Sequence, residues 1–204
     1  MLVAEGLAAQ RGDALLFEGL DFAVRPGTAL FVGGPNGSGK TTLLRIVAGL
    51  TRALRGNLTW EGAEVAPFQP LLRGAALFIG HAMALKEELT AEENLASLAA
   101  LHGASVDADA LSGALAAWSL ARQRTLPARV LSQGQRRRIG LARLRLVARP
   151  LWILDEPMTA LDAAGSDTLR SVIGDHLARG GMALIATHQE FAPVAGTFHS
   201  LRLQ

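Results

Sequence analysis

The sequence predicts an α/β fold, in which helices cover both faces of a mainly parallel sheet and an antiparallel β region comes first. Two observations lead to this prediction. The first third of the chain contains several short strand-like runs with turns between them. Further along, apolar runs of four or five residues alternate with longer helical segments, which is the order of elements in a parallel sheet.

Before residue 80, apolar alternation and β-branched or aromatic content predict five strands. They cover residues 2–4, 20–24, 29–32, 57–60 and 75–79. Pro26 and Gly27 mark the turn before the third strand. A helix is predicted over residues 42–48, where Gly49 provides a stop signal.

The middle of the chain contains helix-capping residues, which predict a mostly helical segment. Thr90 and Glu93 form a capping box for a helix to about residue 101, and Asp107 is expected to cap the next helix. We therefore expect one domain over residues 1–204. Its core covers about 1–81 and 131–204, and a helical subdomain of about 82–130 is inserted.

The last part of the chain returns to alternating helices and strands. Ser132 and Gln135 form a second capping box, whose helix is predicted to run to Pro150. The closing elements are a strand over 151–154, a helix that Asp162 is expected to cap and that ends before Gly180, and strands over 182–186 and 198–203.

Composition excludes several classes of protein. Half of the 204 residues are apolar and 19% are charged, which predicts a packed core. The net charge is only +2, so the pI near 9.9 reflects the high pKa of arginine. The basic run at 136–138 lies in a predicted helix, where a solvated helix face is a simpler interpretation than a nucleic-acid patch. No nucleic-acid partner is therefore expected.

The chain has no cysteine, which excludes disulfides and thiolate metal sites. No apolar run approaches the roughly 18 residues that span a bilayer, and no segment has the pattern of a signal peptide. We expect a cytoplasmic chain that does not cross the membrane.

Residues 34–41 fit the pattern of a phosphate-binding loop, G-x-x-x-x-G-K-[ST]. The loop consists of Gly34, Pro35, Asn36, Gly37, Ser38, Gly39, Lys40 and Thr41, and Thr42 follows it. Its glycines let backbone N–H groups point inward at phosphate oxygens. Lys40 can reach the β- and γ-phosphates, and the Thr41 hydroxyl can ligate Mg²⁺.

Asp155 and Glu156 come directly after the apolar strand at 151–154. The carboxyl ends of strands are where open α/β sheets bind ligands. Asp155 is a candidate ligand of Mg²⁺ through a water, and Glu156 is a candidate to polarise a water that attacks the γ-phosphate. Such a pair is often only a strand that ends in solvated acids. The phosphate loop upstream favours the catalytic interpretation.

In these motifs the chain resembles the ATP-binding subunits of ABC transporters over nearly its whole length. Five elements follow the family's order. They are the phosphate loop, the signature at 131–135, the acidic strand at 151–156, the D-loop at 160–162 and the switch histidine His188. The resemblance implies the P-loop NTPase fold of ABC ATPases, with ATP and Mg²⁺ as cofactors. It makes Glu156 and His188 candidate catalytic residues.

Ser132, Gly134 and Gln135 of the signature lie at a predicted helix N-terminus, which attracts anions. One chain already cradles the triphosphate, so a second anion site indicates a second surface for the same nucleotide. In the resembled family, the signature of one subunit closes over ATP held by another copy. The resemblance therefore implies a head-to-tail dimer around two ATP molecules. It makes Ser132, Gly134, Gln135 and Asp162 of the D-loop candidate nucleotide-binding residues.

Two positions depart from the family pattern. His81 stands where the family has the Q-loop glutamine, and Arg11 stands where it has an aromatic residue that stacks on adenine. His81 thus becomes a candidate catalytic and Mg²⁺-ligating residue, and Arg11 a candidate adenine contact.

The histidine at the Q-loop and its flanking sequence are similar to one subgroup, the haem-exporter ATP-binding proteins of bacterial cytochrome c maturation. That similarity implies integral membrane subunits as partners and a peripheral place on the cytoplasmic side of the inner membrane. Two alternatives remain open. One is a subunit of a different ABC exporter, and the other is a soluble ABC ATPase that acts on nucleic acid or ribosomes.

Overall fold

The computed structural model describes residues 1–68, 70–188 and 195–204, leaving aside the side chains of residues 70, 71 and 73. The strands and helices of this part of the chain are β1 (Leu2–Arg11), β2 (Ala14–Val24), β3 (Thr28–Gly33), α1 (Lys40–Val47), β4 (Arg55–Trp60), β5 (Ala63–Glu64), α2 (Pro70–Ala75), β6 (Ala76–Ile79), α3 (Ala91–Ala100), α4 (Ala108–Ala117), α5 (Gln133–Ala142), β7 (Leu151–Asp155), α6 (Ala163–Ala178), β8 (Met182–Ala186) and β9 (Thr197–Arg202).

The chain folds into two compact units. The first consists of Met1–Phe78, Arg149–Pro157 and Ile173–Gln204, and the second of Ile79–Ala148 and Met158–Val172. The helical stretch predicted at 82–130 falls within the second unit, which also takes in the signature and the D-loop. The division into a core and a subdomain at 82–130 stays a prediction.

The first unit contains two sheets. One is antiparallel, with the strand order β2-β1-β4-β5, and the other has the order β6-β7-β8-β3-β9. In the second sheet, β3 pairs in parallel with β8 and β9, and β7 pairs in parallel with β8. Every residue of β7 and β8 is buried, as expected for central strands of a parallel sheet. This confirms the predicted α/β fold with an antiparallel β region at its start.

Strands β1 and β2 are much longer than their apolar patterns predicted. Gly6 and Gly19 have positive φ angles of 59° and 64°, and the register of the β1–β2 ladder shifts between Ala4 and Leu7. A bulge inserts an extra residue and reverses the in-and-out alternation. The alternation seen in the sequence therefore stops before the strand does.

The prediction that the signature helix runs to Pro150 is wrong. Helix α5 ends at Ala142, and a 3₁₀ turn over Arg143–Arg145 follows it. The tighter turn places Arg143 and Leu144 in the interior, with 7% and 5% of their surfaces exposed. No glycine or proline marks this end, so the sequence offered no stop signal.

One hydrophobic cluster of the first unit takes buried side chains from both sheets and from α1. Leu2 of β1, Leu58 of β4, Leu43 of α1, Ile153 of β7 and Leu184 of β8 all belong to it. Because α1 is anchored in this core, the loop that enters α1 has a fixed base.

His176 of α6 is buried in the first unit, and its ring stacks on Trp152 of β7. The ring centroids are 3.7 Å apart and the planes differ by 3°. Nε2 of His176 lies 3.1 Å from the backbone oxygen of Met182, the first residue of β8. Burial lowers the pKa of His176, against an opposing effect of that hydrogen bond.

Among the described residues, no helix combines the length and apolar character that crossing a membrane requires.

Candidate functional site

The two units carry different parts of the predicted site. The first unit holds Arg11, the loop residues 34–42, Asp155, Glu156 and His188. The second unit holds His81, Ser132, Gly134, Gln135 and Asp162.

The phosphate loop connects β3 to α1 and depends on glycine at three positions. Gly34, Gly37 and Gly39 have φ angles of 139°, 87° and 96°, which side chains disfavour. A Cβ at Gly34 would lie 2.7 Å from the backbone oxygen of Leu203, and one at Gly39 would lie 3.0 Å from the ring of Phe17. The loop is therefore packed tightly from both sides, and α1 begins directly after it at Lys40.

Lys40 and Ser38 give this loop its polar interior. Lys40 is 8% exposed, and its ammonium donates to the backbone oxygens of Gly34 at 2.8 Å and Pro35 at 3.0 Å. Ser38 is 7% exposed, and its buried hydroxyl has no hydrogen-bond partner among the described residues. A buried donor without a partner is costly. A ligand phosphate in the loop would satisfy it, so the residues present fit a nucleotide.

Thr41 and Asp155 are separated by 114 positions but their side chains touch. The Thr41 hydroxyl donates to Oδ2 of Asp155 over 2.9 Å. Asp155 ends β7 and is only 3% exposed. A hydroxyl and a carboxylate are the oxygen ligands that Mg²⁺ takes, together with waters and substrate phosphates. The pair of Thr41 and Asp155 therefore fits an ion whose remaining ligands are phosphates and waters. Among the described residues, no group of three or more His, Cys, Asp or Glu side chains that could hold a metal occurs.

Glu156 and His188 lie side by side at the ends of two paired strands. Asp155 of β7 is opposite Ala186 of β8, and the N–H of Glu156 donates to the oxygen of Ala186 over 2.9 Å. Nε2 of His188 is 3.2 Å from Oε1 of Glu156. Glu156 has a φ of 49°, a left-handed conformation that is rare outside glycine. A carboxylate held against an imidazole at a strand end is suited to accept a proton from a water.

In the second unit, the signature caps helix α5 as the sequence predicted. The Ser132 hydroxyl accepts from the N–H of Gln135 at 3.2 Å, and Oε1 of Gln135 accepts from the N–H of Ser132 at 2.9 Å. Gly134 has no room for a side chain, because a Cβ would lie 2.7 Å from the backbone oxygen of Ala160. The signature glycine therefore packs directly on the D-loop.

Asp162 caps helix α6, and Arg138 of α5 contacts it. Oδ1 of Asp162 accepts from the N–H of Gly165 over 2.8 Å and from Nη2 of Arg138. These hydrogen bonds lower the pKa of Asp162. The bond from the N–H of Gly165 has the largest effect, and the bond from Arg138 has the next largest. Arg138 also donates to the backbone oxygen of Trp118 at 3.4 Å. The sequence predicted the cap but gave no signal for Arg138.

His81 follows β6 in an exposed position of the second unit. It lines a cavity of about 330 Å³ together with Met83, Leu85, Gln133 and Thr159. Arg11 is the exposed last residue of β1 and is paired with Ala14 across the hairpin. The roles of His81 at Mg²⁺ and of Arg11 at adenine stay predictions.

A family model described as ABC transporter matches residues 17–159 of the chain. The chain belongs to this family. It is an ABC ATPase, the ATP-binding subunit of an ABC system.

Two curated relatives match almost the full length of the chain. The cytochrome c biogenesis ATP-binding export protein CcmA of Aromatoleum aromaticum is 50% identical over 96% of this chain and 91% of its own length. The protein of the same name from Nitrosomonas europaea is 46% identical over 100% of this chain and 95% of its own length. Among solved structures, a putative ABC transporter ATP-binding protein from Pyrococcus furiosus has a TM-score of 0.85 over 98% and 96% of the two chains, at 25% identity.

Proposed function

We propose that this chain hydrolyses ATP to drive a membrane complex in cytochrome c biogenesis, where it supports haem export or the release of a haem chaperone. The observation that carries the biogenesis role is its similarity, over nearly its full length, to two proteins named for that process. The contacts of the first unit support the chemistry. Thr41 meets Asp155, and Glu156 meets His188.

In the proposed mechanism, Lys40 leaves the carbonyls of Gly34 and Pro35 and pairs with the β- and γ-phosphates of ATP. The backbone N–H groups of residues 36–42 and the Ser38 hydroxyl hold the remaining phosphate oxygens. Thr41 and Asp155 would hold Mg²⁺, which neutralises charge on the phosphates when it is bound.

Glu156 accepts the proton of the water that attacks the γ-phosphate. His188 keeps the Glu156 carboxylate in place through their 3.2 Å contact and can donate toward the γ-phosphate. In the resembled family the glutamine at this position approaches Mg²⁺ and the attacking water, and the exposed imidazole of His81 would take the same role here. Arg11 lays its guanidinium on the adenine ring.

Two copies of the chain bind two ATP molecules head to tail. The N-terminus of α5, with Ser132, Gly134 and Gln135, offers a positive dipole end to the γ-phosphate held by the other copy. Asp162 supports this surface from the D-loop. Export needs a path across the membrane, which integral membrane subunits provide, and the chain docks on them at the cytoplasmic face of the inner membrane.

Complementation tests the whole proposal. The chain should restore c-type cytochromes, measured by haem staining of membrane proteins, in Aromatoleum aromaticum that lacks its own CcmA. The Lys40→Ala variant should fail while reaching the same level in the cell. Lys40-dependent ATP hydrolysis without restored cytochromes would contradict the biogenesis role and favour another exporter. Salt-sensitive binding to nucleic acid would favour the soluble alternative.

A further inference from the structure

Helix α5 contains three consecutive arginines, and they occupy three different environments. The expectation of one solvated basic face is wrong for two of them. Arg137 is only 4% exposed and the side chain of Arg138 is 14% exposed, whereas that of Arg136 is 34% exposed. A buried guanidinium must have its donors satisfied inside the protein. The partners of Arg137 therefore show what it is for.

Arg137 bonds to the segment that carries His81. Its Nη1 donates to the backbone oxygen of Gly80 at 3.2 Å and of His81 at 3.0 Å, and lies 3.6 Å from Sδ of Met83. These contacts hold the backbone of residues 80–83. They leave the imidazole of His81 exposed, so Arg137 fixes where the side chain starts without occupying it.

A second, apolar contact joins the same two segments. Gly140 lies three positions after Arg137, on the same face of α5. A Cβ at Gly140 would run into the thioether of Met83, so Met83 rests directly on the helix backbone. The segment at 80–83 is thus attached to α5 through hydrogen bonds from Arg137 and through the apolar contact of Met83, both within the second unit.

The charge of Arg137 has a cost that packing alone does not explain. Arg143 is also buried in this unit, and burial together with the nearby charge of Arg137 lowers the pKa of Arg143 to about 10. Two cations buried near each other repel, and each loses its hydration, so filling space alone gives no reason for a guanidinium at position 137. The guanidinium of Arg137 does what an apolar side chain cannot do, which is to donate to the carbonyls of residues 80 and 81.

We infer that Arg137 is a positioning residue for His81. It fixes the segment at 80–83 to the helix whose N-terminus carries Ser132 and Gly134, so that the placement of His81 follows the placement of the signature. This inference rests on the proposed function, because it assigns the role of Arg137 through the catalytic role of His81.

The test compares Arg137→Met in the wild-type chain and in the His81→Ala chain, with purified protein and Mg²⁺-ATP. In the wild type, kcat should fall roughly ten- to a hundredfold, as for other misplaced catalytic groups, while KM for ATP stays constant. In the His81→Ala background, the same substitution should change kcat by less than about twofold, because residues that act through one another are not additive. Arg137→Lys should recover part of the rate, since it keeps a donor for the carbonyls.

Gly140→Ala tests the same attachment without removing a buried charge, and it serves if Arg137→Met does not fold. It should displace Met83 and lower kcat, again only when His81 is present. Gly113→Ala is the matched control. It lies in helix α4, where a Cβ would meet nothing within 4 Å, and kcat should not change.

Equal losses of kcat in both backgrounds, or no loss in the wild type, would overturn the positioning role and leave the ATPase assignment in place. A chain whose turnover does not depend on Lys40 would overturn both. The two failures are therefore distinguishable in one set of assays.

Discussion

Replacing Glu156 with glutamine should separate catalysis from stability. Glutamine has the same shape and can still accept a hydrogen bond from His188, but it cannot take a proton from water. We expect ATP binding to persist and hydrolysis to become very slow. If hydrolysis is what separates two copies, the variant should accumulate as an ATP-bound dimer.

The expected magnitudes follow from the surroundings of Glu156. A general base contributes roughly 10²–10⁴-fold to the rate, which is about 3–5 kcal/mol of activation barrier. The free energy of unfolding should change by less than about 1 kcal/mol, because the His188 side chain of the ion pair is 49% exposed and exposed pairs contribute little. Glutamine also keeps the φ of 49° that glutamate already adopts, so no strain is added or relieved.

The assays are single-turnover hydrolysis, chemical denaturation and size-exclusion chromatography with Mg²⁺-ATP. Glu64→Gln, the same chemical change on the exposed strand β5, is the control and should match the wild type in all three. If Glu156→Gln hydrolyses ATP within about threefold of the wild type, the general-base role is wrong, since the loss expected is at least about 10². A variant that binds ATP but stays monomeric at high concentration would refute the ATP-bound dimer.

Three further predictions test other parts of the molecule. Lys40→Ala should abolish hydrolysis with the fold intact by circular dichroism, because in the proposed mechanism its ammonium stabilises charge on the phosphates, whereas Lys86→Ala at an exposed position should leave hydrolysis unchanged. Arg11→Ala should weaken ATP binding by about 0.5–2 kcal/mol in calorimetry, and an unchanged dissociation constant would exclude adenine stacking. Burial lowers the pKa of His176, so as pH falls the imidazole takes up a proton in the unfolded chain before it does in the folded chain. The stability that the neutral ring contributes is therefore complete above the unfolded pKa and is lost as pH falls through the folded pKa. In chemical denaturation at a series of pH values, His176→Phe should make the free energy of unfolding fall less steeply toward acid pH. At neutral pH it should lower the free energy of unfolding by about 1 kcal/mol, because the hydrogen bond of His176 is lost. The exposed His199→Phe should do neither.

The sequence was sufficient wherever short segments act through their own backbone. The phosphate loop needs only a strand, a run of glycines and a helix start, and all three are contiguous between β3 and α1. The capping box of Ser132 and Gln135 spans four residues and forms as predicted. Local chemistry of this kind depends on a few consecutive residues, so motif spacing predicts it well.

Contacts between distant segments were predictable only through strand order. Thr41 and Asp155 meet because β3 and β7 both flank β8, and parallel strands deliver their carboxyl ends to one edge of the sheet. The motifs predicted that Thr41 and Asp155 act together, but only the fold shows that their side chains are in hydrogen-bond contact. The same edge brings Glu156 to His188.

Burial of individual charged residues could not be predicted from the sequence. Residues 136–138 are identical in type and adjacent in sequence, yet their surroundings differ because a helix turns each toward a different neighbour. The sequence pattern also gave no hint that Gly134 and Gly140 make room for Ala160 and Met83. Such close approaches depend on tertiary packing, which the hydrophobic periodicity of the sequence does not predict.

The backbone of Glu156 joins the fold to the chemistry. Strand β7 buries all five of its residues, and side chains along a strand point alternately to its two faces. If the strand simply continued, Glu156 would point away from the face to which Asp155 points. The left-handed turn at Glu156 ends that alternation and brings its carboxylate to His188, at a cost of about 1–2 kcal/mol for a residue with a side chain. The hydrogen bond from its N–H to Ala186 keeps the turn registered on β8. The packed core of the first unit therefore stabilises Glu156 in a strained conformation, and that conformation directs its carboxylate toward His188.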